Sequence, residues 1–182
     1  MISEQAKKSV NQLFINAARA TLAVAPGNSV EIVTLPNQVN SRLVEPPEEL
    51  LVVLTVASYR FRLLTIFHVD PKGPAADYFD RSEAGRSFGD VFGEIGNMCC
   101  GAMNRELGKH FPHLGMSTPY VLASKCLPFL AELKPGYLSQ HRIEINGSVM
   151  MHATLCLCAW GDIDFRVDAA AVEESCGELE LF

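Results

Sequence analysis

Asp90, Glu94 and Asn97 are the side chains of this sequence best spaced to do chemistry. A carboxylate and a carboxamide three residues apart are neighbours on a helix surface, about 5–6 Å between Cβ atoms. Glutamate offers a charge that pairs a cation or takes a proton; asparagine accepts and donates without becoming charged. Together they can hold a cation and orient a water. The stretch that carries them, GDVFGEIGNMCCGAMNREL, also holds glycine at 89, 93, 96 and 101. Each glycine costs a helix roughly 1 kcal/mol relative to alanine, so the glycines need a reason.

With Asp90 at zero and about 100° per residue, Glu94 falls at about 40°, Asn97 at about −20° and Gly101 at about 20°. Phe88, Phe92, Ile95, Cys99 and Ala102 fall between about 120° and 200°, the side predicted to face the core. A merely solvated stripe favours Ala, Lys or Glu. Gly101 in the middle of the stripe and Gly93 beside it instead remove bulk, which lets another surface approach. Gly96 lies off the stripe and is assigned to packing against a neighbouring element.

The elements that must position this stripe can be read along the chain. An amphipathic helix is predicted over 3–23, with Ala6, Val10, Leu13, Phe14 and Ala17 on one face and Pro26-Gly27 ending it. SVEIVTL (29–35) is strand-like, and VNSRLVEPPEE is a loop. The apolar run at 50–69 is long enough to raise the question of a membrane helix. Its period-two alternation and Arg60 and Arg62 make it a β-hairpin instead. A short helix between turn signals is expected within 70–87, then the glycine-bearing helix over 87–110 and a strand over 115–124. After a proline-rich connector, YLSQHRIEI and SVMMHATLCLCAW are joined by Asn146-Gly147, a two-residue hairpin signal. DIDFRV is a further extended piece. The whole is predicted as one α+β domain over 1–182, two long helices on a largely antiparallel sheet.

The halves echo each other, a first repeat over about 3–70 and a second over about 87–167. Ser9, Leu13, Asn16 and Pro36 align with Asp90, Glu94, Asn97 and Pro119. The formal charge of −6 argues against a nucleic-acid or anionic-membrane surface. The start MISEQAKKSV lacks the charged and apolar regions of a signal peptide. The six cysteines form no C-x-x-C pair and are assigned as small buried hydrophobes, which fits a reducing cytoplasm. His110 and His113 flank Phe111-Pro112, which breaks helical register, and no third ligand accompanies them, so no metal site is predicted. His68, His141 and His152 fall in strands.

Asp90, Glu94 and Asn97 with Pro119 downstream resemble the signature of the CheC/CheX/FliY family of chemotaxis phosphatases. That signature runs Asp or Ser, three residues, Glu, two residues, Asn, twenty-two residues, Pro. Here twenty-one residues separate Asn97 from Pro119. The resemblance implies that the substrate is the aspartyl phosphate of a CheY-type receiver domain. It implies that Asn97 orients the attacking water and Glu94 docks to the receiver's lysine, while Asp90, Gly93 and Gly101 meet the partner and Pro119 is structural. The Mg²⁺ would sit on the receiver, with no cofactor bound by this chain. Leu13 replaces the glutamate in the first repeat, so one active site is implied, as in CheX-type members, which are typically homodimers. The non-catalytic alternative is a receiver-binding or flagellar-switch scaffold of the FliM kind.

Overall fold

The computed structural model describes residues 1–36, 45–79 and 86–167. Parts of the predicted 39–49 loop and of the 70–87 segment, and Cys176, lie outside the described residues. Helix α1 (Glu4–Leu22) begins where Ser3, extended at φ −68°, accepts a hydrogen bond from the Ala6 amide at 3.0 Å. This supplies one of the donor partners a helix N-terminus lacks. Ala6, Val10, Leu13, Phe14 and Ala17 are all buried. Strand β1 (Val30–Thr34) follows, then β2 (Leu50–Ala57) and β3 (Phe61–Val69), a hairpin in register from Leu50 opposite Val69 to Ala57 opposite Arg62. Ser58 closes its turn by accepting from the amides of Arg60 and Phe61. Helix α2 (Pro74–Phe79) precedes the long helix α3 (Phe88–Gly108). Among the described residues, no helix is long and apolar enough to cross a membrane.

The strand expected over 115–124 is split into β4 (Gly115–Met116) and β5 (Tyr120–Ala123), both antiparallel to β2. Pro119 falls in the gap, where the missing N–H cannot join the ladder. The connector after β5 is ordered: Ser124–Leu133 is a 3-10 helix with Pro128 inside it, ended by Lys134 at φ 49°. Strands β6 (Tyr137–Ile145) and β7 (Val149–Ala159) complete the sheet. Asn146 and Gly147 between them both take positive φ, 53° and 65°, as a tight primed turn requires. The sheet order is β1-β6-β7-β3-β2-β4, with β5 also on β2. DIDFRV adds no strand; it makes one parallel bridge, Ile163 with Ile2, and lies over α1 with Phe165 in the core.

Strand alternation divides the sheet into two faces. One carries Val52, Leu54, Phe67, Ile143, Met151 and Leu155 against α1, α2 and α3. The other carries Leu51, Val53, Leu64 and Ile66, covered by Leu127 and Leu130 of the 3-10 helix, with Cys126, Cys156 and Cys158 alongside. None of the described cysteines is bridged. Burial pushes the thiols of Cys99 and Cys100 up to about 12. On the second face His68 Nε2 lies 2.8 Å from Thr154 Oγ1 and His152 Nδ1 lies 2.8 Å from Glu48 Oε1, while His68 Nδ1 and Glu48 Oε2 are buried without a hydrogen-bond partner among the described residues.

Candidate functional site

Helix α3 is set by a reciprocal cap. Ser87 Oγ accepts from the Asp90 amide at 3.2 Å, and Asp90 Oδ2 accepts from the Ser87 amide at 3.3 Å and from its hydroxyl at 2.7 Å. These bonds, the hydroxyl's first, hold the Asp90 carboxyl below its ordinary value. Asp90 thus has a job within the chain: its carboxylate is held by the helix's own N-terminal turn.

The helix buries Phe92, Gly93, Gly96, Cys99, Cys100, Met103 and Leu107. That arc is turned roughly 80° from the face expected from apolar side chains alone. Ile95 and Ala102 are only half-buried, and Met98 is 61% exposed. The glycines explain the turn. A Cβ on Gly96 would lie 2.9 Å from Leu54 Cδ1, and one on Gly89 would lie 3.2 Å from Val121 Cγ2. One on Gly93 would lie 3.2 Å from Pro119 Cγ. The helix backbone therefore seats directly on β2 and on the β4–β5 link, where a hydrophobicity pattern has no side chain to count. The clearance at Gly93, read from sequence as room for a partner, is taken up by the chain's own Pro119. Gly101 differs: its nearest neighbour at that position is Arg105 Nη1 at 3.8 Å, and the space is open.

Between α3 and the β4–β5 link lies a cleft of about 560 Å³ lined by Gly89, Asp90, Gly93, Glu94, Asn97, Pro119, Tyr120 and Val121, with Arg86 at its edge. Glu94 and Asn97 are both exposed along it. The Asn97 side chain makes no hydrogen bond among the described residues, so its carboxamide can both accept and donate to something outside. Glu94 is engaged: Arg86 Nη2 lies 2.5 Å from its Oε1, with the Glu94 side chain 66% exposed. An exposed pair of this kind contributes about 0.2–1 kcal/mol, little enough to be exchanged for another cation. Arg86 escaped the sequence reading because it precedes the helix, outside the periodic pattern. Tyr120 and Val121, 43% and 44% exposed, give the cleft an apolar wall.

In the first repeat, Leu13 is buried in the core and the Ser9 hydroxyl donates to the Phe165 carbonyl at 3.1 Å. Asn16 accepts from Gln12 at 2.8 Å. These positions present no exposed acid–amide pair. Among the described residues, no group of three or more His, Cys, Asp or Glu side chains is placed to hold a metal ion.

No protein-family model and no curated protein matches the chain. Solved structures do. CheX from Vibrio vulnificus aligns with a TM-score of 0.60 at 15% identity, covering 82% of this chain and 99% of that one. The structure of a CheX-CheY-BeF3-Mg complex from Borrelia burgdorferi aligns at 0.59 and 12% identity, covering 81% and 97%. The FliM middle domain from Vibrio alginolyticus aligns at 0.51 and 12% identity, covering 81% and 90%. With CheC-like and FliY structures also among its neighbours, this chain has the fold of the CheX, CheC-like and FliY chemotaxis proteins.

Proposed function

We propose that the chain is a phosphatase for the aspartyl phosphate of a CheY-type receiver domain, with Glu94 and Asn97 as its working pair. The observation that carries the reading is the exposed Glu94/Asn97 pair on one cleft wall with Pro119 on the other. Hydrolysis of an acyl phosphate needs a water in line with phosphorus and charge neutralisation on the phosphoryl oxygens. The receiver's own Mg²⁺ and lysine supply the neutralisation. What a second protein adds is position, which for a well-oriented nucleophile is a large part of the barrier. Asn97 Oδ1 accepts from the water while Nδ2 donates to a neighbouring oxygen, fixing the water without a charge. Glu94 Oε1 and Oε2 accept from the receiver lysine and hold the two proteins in register. Gly101 leaves room one turn beyond for the receiver surface. A likeness in fold to a CheX found with CheY supports the choice of partner.

The chain acts in the cytoplasm in this reading, as a homodimer with one active site per subunit. The second reading is a receiver-binding or switch scaffold without turnover, and the likeness to the FliM middle domain favours it. Phosphate loss from candidate phosphorylated receivers separates the two. With Asn97→Ala, release should fall at least about a hundredfold, the scale for losing a positioned group that acts in the transition state, while receiver binding stays within about twofold. Glu94→Ala should weaken binding itself. Receiver binding by the unaltered chain with no acceleration of phosphate loss would establish the scaffold reading.

A further inference from the structure

The Glu94/Asn97 pair does not stand alone on its surface. On the side toward Pro119 lie Tyr120 and Val121, 43% and 44% exposed. Val121 pairs with Val52 on β2, so it belongs to the sheet face that carries α3. Its Cγ2 atom lies 3.2 Å from where a Cβ on Gly89 would stand. On the side away from Pro119 stands Met98, 61% exposed. With Asp90 at zero, Met98 falls at about 80°, beyond Glu94 at about 40°, while Gly93 against Pro119 falls at about −60°. Single exposed apolar side chains are ordinary. These three instead border one carboxylate and one carboxamide from both sides. The cleft, at about 560 Å³, is also the size of pockets that take whole ligands rather than the tip of one side chain.

From this arrangement we infer that the receiver surface that docks here is apolar around its lysine, one flank resting on Tyr120 and Val121 and the other on Met98. The inference rests on the docking role proposed for Glu94. Charged contacts across an interface set register and partner choice more than affinity. Affinity comes from apolar surface removed from water, and the two flanks offer such surface on either side of the charge. By excluding water from the edge of the ion pair they also strengthen the attraction within it. A surface with polar side chains around its lysine would bury them against Val121 and Met98 without partners, which costs affinity. Tyr120, Val121 and Met98 therefore select among lysine-bearing surfaces, and they do so whether or not a phosphoryl group is present.

The test is receiver affinity by calorimetry, with the receiver carrying beryllofluoride and Mg²⁺ as a phosphoryl mimic and again without them. Met98→Gln keeps the length and helix preference of the side chain, and Val121→Thr keeps the branch at Cβ that packs on Gly89. Each should weaken binding about three- to tenfold, equally for the activated and the unmodified receiver. Met98→Leu and Val121→Ile, apolar replacements at the same positions, should stay within about twofold. Urea midpoints of the four variants check that α3 remains seated, so that a lost fold is not taken for a lost contact. Added salt should shrink the cost of Glu94→Gln and leave the cost of the two polar replacements unchanged. Affinity unchanged by either polar replacement, or an equal loss in its apolar counterpart, overturns the apolar flanks and leaves the Glu94 docking site standing. Failure of the unaltered chain to bind any receiver in either form overturns the docking reading, and the flanks with it.

Discussion

Two glycines in one helix should answer the same substitution in opposite ways. At Gly96 an added Cβ would meet Leu54 Cδ1 at 2.9 Å, and Leu54 is wholly buried. Ordinary carbon contact is about 3.5–4.0 Å, so the methyl must retreat by more than half an ångström into a filled core. Overpacking of that kind costs about 1–3 kcal/mol. Alanine's helix preference returns roughly 1 kcal/mol, leaving Gly96→Ala destabilised by about 0–2 kcal/mol. At Gly101 the nearest atom is Arg105 Nη1 at 3.8 Å, nothing must move, and the helix gain of about 0.5–1 kcal/mol stands alone. The two variants should differ by about 1–3 kcal/mol. With a urea m-value of about 2 kcal/mol/M, that separates their midpoints by about 0.5–1.5 M. Equilibrium urea unfolding by far-UV circular dichroism reads this directly. If Gly96→Ala unfolds at or above the midpoint of Gly101→Ala, the seating of α3 on β2 through backbone is wrong.

Two further outcomes follow from the polar interior and the cap. Burial holds His68 down to about 3, with His152 adding to it, and holds His141 down to about 4. Both imidazoles stay neutral in the fold while the unfolded chain takes up protons below about 6.5. Their contribution to stability is complete above that value and is lost as pH falls from about 6.5 toward those folded values, at up to about 1.4 kcal/mol per pH unit for each. His68→Gln should flatten the fall in stability between pH 7 and 5 relative to the unaltered chain, and parallel curves would count against it. Ser87→Ala removes the N-cap and should cost about 1 kcal/mol, read as a lower urea midpoint. An unchanged midpoint would show that the Ser87–Asp90 cap adds nothing to the stability of α3.

The sequence carries the parts of this fold that side-chain periodicity encodes. Alternation over 50–69 and the Asn146-Gly147 turn give the hairpins, and the spacing of Glu94 and Asn97 gives the exposed pair. What it hides are contacts made by backbone. The buried arc of α3 turns toward Gly93 and Gly96 because helix and sheet meet there with no side chain between them. The 3-10 helix at 124–133 hides behind Pro128, which suggests a break to any rule built on α-helices, although its three-residue turns leave Leu127 and Leu130 on one side. DIDFRV alternates like a strand but joins neither edge of the sheet. Its hydrogen bonds go to Met1, Ser3 and Ser9 instead.

Gly93 against Pro119 also changes how distance along the chain should be counted. The two cleft walls are registered by a contact and by the pairing of β5 with β2, and the six residues between α3 and β4 merely return the chain. Within that return His113 turns the chain at φ 61° and Phe111 anchors it in the core. The two walls are thus set against each other by contact and strand pairing, and the number of residues from Asn97 to Pro119 is not what brings them together.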